Sequence, residues 1–148
     1  MTTKTRIIPA LLLSAMLLPA SARAHTYGPY TYTVSGGKAT ITDFDATYSG
    51  SLSITNELGG WPVTAIDTFA FNQCINLTSV TIPNSVTEIG NGAFAYCDSL
   101  ASVTIPDSIT ALRATTFLWC DSLTSATIPD SVTDIGNSAF DGCASLTS

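Results

Sequence analysis

From residue 77 onwards the apolar positions recur in blocks of 23. In residues 77–99, LTSVTIPNSVTEIGNGAFAYCDS, the apolar set is Leu77, Val80, Ile82, Val86, Ile89, Ala93, Phe94 and Cys97. Residues 123–145, LTSATIPDSVTDIGNSAFDGCAS, match the first block at sixteen of twenty-three positions, and residues 100–122 match it at twelve. Cys74, Cys97, Cys120 and Cys143 keep the same period. A period of this length marks a repeat architecture, in which each copy covers its apolar face only by stacking on its neighbours. Val80 and Ile82 alternate with Thr81, which predicts a short strand with both apolar residues on one face. Pro83 has no backbone donor and ends that strand's ladder. Gly90, Asn91 and Gly92 permit a tight bend. AFAYC, residues 93–97, is expected to form a short helical turn. Phe71, Phe94, Phe117 and Phe140 then form one column, and Ile82, Ile105 and Ile128 another. Ser85, Ser108 and Ser131 form a third, whose hydroxyls are expected to bond loop backbone between repeats.

Ahead of the blocks the pattern changes. YTYTVSGGKATITDF, residues 30–44, holds two alternating runs around Ser35-Gly36-Gly37-Lys38 and reads as a hairpin. SLSIT, residues 51–55, reads as a degenerate repeat strand, and NELGGWP as an insertion within that first repeat. Val63, Ile66, Ala70, Phe71 and Cys74 fall one period before Val86, Ile89, Ala93, Phe94 and Cys97. The expected organisation is a leader at 1–24 and a hairpin lead-in at 25–50, followed by a repeat array at 51–148. Within the array lie a degenerate first repeat (51–76), full repeats at 77–99, 100–122 and 123–145, and an incomplete end at 146–148. A hairpin and an atypical first repeat suit the covering of an exposed edge. The far end shows no such cover, so the expectation there is a truncated product or a piece of a longer array, the rival being an edge that pairs with another chain.

The leader carries Lys4 and Arg6, an apolar run of twelve at residues 7–18, and Ala22-Arg23-Ala24. This is the pattern of a secretory signal peptide. Twelve apolar residues fall short of the roughly 20 that a spanning helix needs. Cleavage after Ala24 leaves Lys38 and Arg113 against eleven acids, a formal charge of −9. That balance excludes a phosphate-neutralising surface, hence nucleic-acid binding, and disfavours anionic lipid.

Candidate chemistry is sparse. The four cysteines occupy equivalent core positions with parallel side-chain vectors, which suits buried free thiols better than disulfides. They form no zinc spacing, and His25 is the only histidine. His25 would be the first mature residue. A copper site of the kind found at the N-terminus of one class of secreted oxidase needs a second histidine, which is missing. Asp98 and Asp121 share a column, as do Asn84, Asp107 and Asp130. Paired carboxylates can bind calcium, but here copying of a turn residue explains them. No catalytic set, cofactor or metal ligand is therefore assigned. The candidate ligand-binding surface consists of Tyr96 and Trp119, one column on the turn side with Gln73 and Gly142, and the outward strand residues Ser79, Thr81, Ser102, Thr104, Ser125 and Thr127.

Leu77, Val80 and Ile82 fit L-x-x-L-x-L with Ser85 three residues later, which is the leucine-rich repeat signature. The repeat L-x-x-V-T-I-P-x-S-V-T-x-I-G-x-x-A-F-x-x-C, over roughly residues 50–148, resembles the BspA-like bacterial surface proteins. YTYTVSGGKATIT and GGWPVTAI resemble their lead-in. The third repeat departs, with Arg113 for Gly90, Thr116 for Ala93 and Leu112 for Ile89, so its turn is expected to differ in shape while the stacking is kept. The resemblance implies an α/β repeat fold: a right-handed leucine-rich-repeat solenoid with short parallel strands and short helical turns, preceded by a β-hairpin. It also implies a secreted or cell-surface protein that is not an enzyme and that binds or adheres to an extracellular protein or glycan. The alternative is a structural spacer, or a fragment of a larger repeat surface protein.

Overall fold

The computed structural model describes residues 23–147, so the leader expected at 1–24 lies almost wholly outside the described residues. Twelve strands follow in order. β1 (His25–Tyr27), β2 (Tyr30–Ser35) and β3 (Lys38–Phe44) form antiparallel neighbours. The turn between β2 and β3 holds Gly36 and Gly37 at φ +56° and +74°, a pair of left-handed positions that matches the twist of the flanking strands. β4 (Gly50–Ser53) starts the array, and β5 (Glu57–Leu58) and β6 (Trp61–Ile66) make a second small hairpin out of the inserted NELGGWP. Beyond it each repeat contributes a first strand and a two-residue second strand. These are β7 (Leu77–Thr81) and β8 (Glu88–Ile89), β9 (Ser102–Thr104) and β10 (Ala111–Leu112), and β11 (Ser125–Thr127) and β12 (Asp134–Ile135).

The first strands stack in parallel as β4-β7-β9-β11, in register one repeat apart. The second strands pair as β6–β8 and β10–β12, and β6 also pairs with β3, joining the lead-in to the array. Between these two walls lies one core. Leu77, Val80, Ile82, Val86, Ile89, Ala93, Phe94 and Cys97 are all buried, as the period requires. The phenylalanine column is a continuous stack, with centroids 4.9, 5.6 and 5.4 Å apart from Phe71 to Phe140. Phe44 of the lead-in adds a fifth ring, 4.7 Å from Phe71. In the last repeat Leu123 and Ala139 stay buried, but Ile128, Val132, Phe140 and Cys143 are only partly covered and Ile135 is 52% exposed.

The short helical turns are not found: among the described residues there is no helix. The reason is visible in the backbone. Along residues 69–74 alternate amides leave the repeat, Phe69 to the Asn91 carbonyl, Phe71 to Ala93 and Gln73 to Ala95. The amides between them close tight turns onto carbonyls three residues back, Ala70 to Asp67, Asn72 to Phe69 and Cys74 to Phe71. Gly92, Phe94 and Tyr96 bond outward in the same way, to Ala114, Thr116 and Leu118. An amide committed to the next repeat cannot bond four residues back in its own, so no α-turn propagates. Two residues per repeat adopt positive φ to make this possible, one at Phe69, Gly92, Thr115 and Ser138, the other at Gln73, Tyr96, Trp119 and Gly142.

The serine column is a partial correction. Ser108 donates to the Val86 carbonyl at 2.5 Å and Ser131 to the Ile109 carbonyl at 2.7 Å. Ser85 finds no partner. The residue one period before Val86 is Val63, which lies inside β6 and is paired with β3, so no loop carbonyl of a regular repeat faces it.

Candidate functional site

Two surfaces carry the candidate residues. On the strand side, Ser79 pairs in register with Ser102 and Ser102 with Ser125; Thr81 pairs with Thr104 and Thr104 with Thr127. Alternation explains their direction, because Val80, Val103 and Ala126 between them turn inward. The side-chain hydroxyls therefore line one outward face. That face is wider than the period predicts, since Ser51 and Ser53 of β4 sit opposite Ser79 and Thr81. Their spacing from β7 is 28 rather than 23 residues, because the β5–β6 hairpin lengthens the first repeat. A fixed-period search misses them for that reason.

On the turn side, Tyr96 and Trp119 are 42% and 50% exposed. Their backbones are adjacent rungs: the Tyr96 amide donates to Leu118 and the Trp119 amide to Asp141, at 2.7 and 2.8 Å. Both residues are held left-handed, at φ +59° and +55°, where the fourth member of the column is Gly142. A side chain at such an angle is strained by roughly 1–2 kcal/mol. The Trp119 indole leans over Gly142, where an added Cβ would come within 2.7 Å of Cδ2. Trp119 thus has one covered face and one open face. Phe69, also exposed, sits over Gly92 in the same manner, and its position one column away from Tyr96 kept it out of the sequence-based set.

The strand-side and turn-side groups lie on different faces of the repeat, so the structure does not gather them into one site. The other chemistry-bearing residues are also apart. The four cysteines are free. Cys97, Cys120 and Cys143 donate their thiols to the carbonyls of Phe71, Phe94 and Phe117 at 3.1–3.2 Å. Burial pushes the Cys74 thiol up to about 11, with Asp43 and Asp45 adding to the rise. Cys97 is raised in the same direction, by the neighbouring Cys120 thiol and by burial. Such thiols are poor nucleophiles. His25 stacks on Tyr32 with centroids 5.4 Å apart. Among the described residues no three of His, Cys, Asp and Glu converge on a metal-sized gap, and no helix is long and apolar enough to cross a membrane.

Comparison with known proteins adds the following. The family model described as a BspA type leucine rich repeat region matches residues 46–148, in six copies. A leucine-rich repeat protein from Bacteroides capillosus is 34% identical, with 84% of this chain and 95% of that one covered and a TM-score of 0.74. A leucine rich repeat protein from T. pallidum is 26% identical, with 84% and 69% covered and a TM-score of 0.71. A leucine rich cell surface protein from Faecalibacterium prausnitzii is 28% identical with a TM-score of 0.67; it is matched over 84% of this chain but 38% of its own length. Among curated proteins none matches.

Proposed function

Because the chain belongs to the BspA-type leucine-rich repeat family, we propose that it is a secreted or surface-displayed, non-catalytic protein that binds an extracellular protein or glycan through the turn-side aromatics. The observation that carries this reading is the Tyr96–Trp119 column. Two large aromatic side chains stand half-exposed on adjacent rungs at a backbone angle for which glycine is the unstrained choice. Strain of this kind persists where a side chain is needed, and exposed tryptophan and tyrosine are the side chains that most often anchor binding. The cell-surface protein of similar structure supports the location. The hydroxyl face is the competing surface. The spacer reading draws on the near-identity of the blocks at 77–99 and 123–145.

The test is binding to panels of immobilised extracellular proteins and glycans. Trp119→Ala is expected to lose about 2 kcal/mol or more of affinity, as an anchor does, with the far-ultraviolet circular dichroism unchanged. Thr104→Arg is expected to leave that binding intact. If Thr104→Arg blocks binding and Trp119→Ala is silent, the ligand lies on the hydroxyl face. If no panel member binds the wild-type chain, the spacer reading replaces this one.

A further inference from the structure

The ladder of second strands is interrupted at one place. Thr87 and Gly90 donate to the carbonyls of Thr64 and Ile66 one repeat earlier, at 2.9 and 2.8 Å. Thr133 and Gly136 donate to Thr110 and Leu112 at the same distances. The donors between them, Thr110 and Arg113, make no such bonds among the described residues, and β8 does not pair with β10. The threonine hydroxyls show the same gap: Thr87 and Thr133 reach back to Thr64 and Thr110, and Thr110 has no counterpart bond to Thr87. The opening is local. Ser108 still bonds Val86 on one side, and Gly92 bonds Ala114 at 3.0 Å on the other.

Arg113 is the cause. In the array its column holds Gly90 and Gly136, which lie hard against the preceding repeat, while Asp67, one period earlier, follows β6 and bonds Ile41 of lead-in strand β3 instead of a repeat. A Cβ at Gly90 would stand 2.7 Å from the Asp67 carbonyl carbon, and one at Gly136 would stand 2.7 Å from that of Arg113. Real Cβ contacts do not come that close, and the obstacle is backbone, so the chains must separate. Arg113 carries that Cβ, and its strand β10 stands apart from β8 of the preceding repeat while staying paired with β12.

The separation leaves a cleft of about 250 Å³, lined by Thr87, Glu88, Ile89, Thr110, Ala111 and Arg113. One wall presents the unpaired amides of Thr110 and Arg113. The other presents the carbonyls that would have received them, those of Thr87 and Ile89. At the mouth the Arg113 guanidinium donates to the Glu88 carboxylate at 3.3 Å, both side chains more than half exposed. Every polar element of this cleft thus comes as a donor beside an acceptor. An anion would face Glu88 and a strongly acidic chain, and a cation would face Arg113 and two amide hydrogens. A hydroxyl both donates and accepts, so a ligand with several neutral hydroxyls matches both walls at once. The volume lies below the roughly 300 Å³ at which pockets for drug-sized molecules begin, which limits the ligand to one ring. We propose that the Arg113 cleft between the second and third repeats is a binding site for a single neutral sugar unit. The site is separate from the aromatic column, so it stands or falls independently of Trp119.

Amide nuclear magnetic resonance on the full chain tests it, with glucose and galactose as probes and glucuronate as the charged control. The Thr110 and Arg113 amides are expected to exchange quickly with solvent in the free chain. They are expected to shift saturably with a neutral hexose, and not with glucuronate. Arg113→Gly restores the column glycine. It is expected to slow exchange at Thr110 and to abolish the hexose response. Arg113→Ala keeps a Cβ and therefore the cleft, and is expected to bind about tenfold more weakly through loss of the charged hydrogen bond. Three results would each overturn the proposal: slow exchange at Thr110 in the wild-type chain, no response to either hexose, or an Arg113→Gly variant that responds like the wild type.

Discussion

At the scale of single residues the cysteines are the most informative. Each of the last three sits in the core column and also donates its thiol to a carbonyl 26 residues earlier. Cys97→Ala removes both the packing and the donor, and is expected to lower stability by about 1–3 kcal/mol in urea titration. Their titration has a definite sign. The Cys74 thiol ionises near 9.0 when unfolded and near 11 when folded. The folded state therefore holds its full advantage below pH 9 and loses it as pH rises through 11. Cys97 shifts in the same direction. The urea midpoint is expected to fall between pH 9 and 11, and to fall less in Cys74→Ala. A midpoint that is flat over this range in the wild-type chain would contradict burial of these thiols.

At the scale of elements, the turn replaces the helix as the unit of the array. Its amides alternate between their own repeat and the next, so each turn is a rung as well as a bend. Local sequence does not announce this, because AFAYC has ordinary helix formers and the competing acceptor is 22 residues away. The glycine column then decides how tightly second strands join. Gly90→Ala is expected to open the β6–β8 ladder as Arg113 opens the next one. Its signature would be faster amide exchange at Thr87 and residue 90 and a lower melting temperature, while the first-strand ladder at Val80 stays protected. Unchanged exchange at Thr87 would show that the Cβ is accommodated, and the account of Arg113 would fail with it.

At the scale of the whole molecule, stability is a sum over neighbouring interfaces. The lead-in supplies the first of these, by pairing β3 with β6 and by placing Phe44 on Phe71. Phe44 is buried, whereas Phe140 at the other end of the stack is partly exposed. Phe44→Ala is expected to cost about 3–5 kcal/mol, in the range of a buried aromatic, and Phe140→Ala distinctly less. Equal losses in chemical denaturation would mean that the lead-in is not what anchors the array.

The sequence by itself determined the period, the inward set and the outward set. A repeat of 23 residues places Val80, Val103 and Ala126 in one column and Ser79, Ser102 and Ser125 in another, whatever the turns do, because strand alternation and stacking leave no other choice. The Gly36-Gly37 hairpin was legible for a similarly local reason, since its turn chemistry sits within four residues. Tertiary structure decided what depends on contacts across repeats. It set the turns without helix, since their amides bond the next copy. It brought Ser51, Ser53 and Phe44 into columns, across an insertion that breaks the period. It left Ser85 without the carbonyl that Ser108 and Ser131 find. The third repeat lies between the two cases. Arg113 in a glycine column was visible as a departure, but only the backbone of its neighbour, lying where a Cβ must go, turns that departure into a cleft.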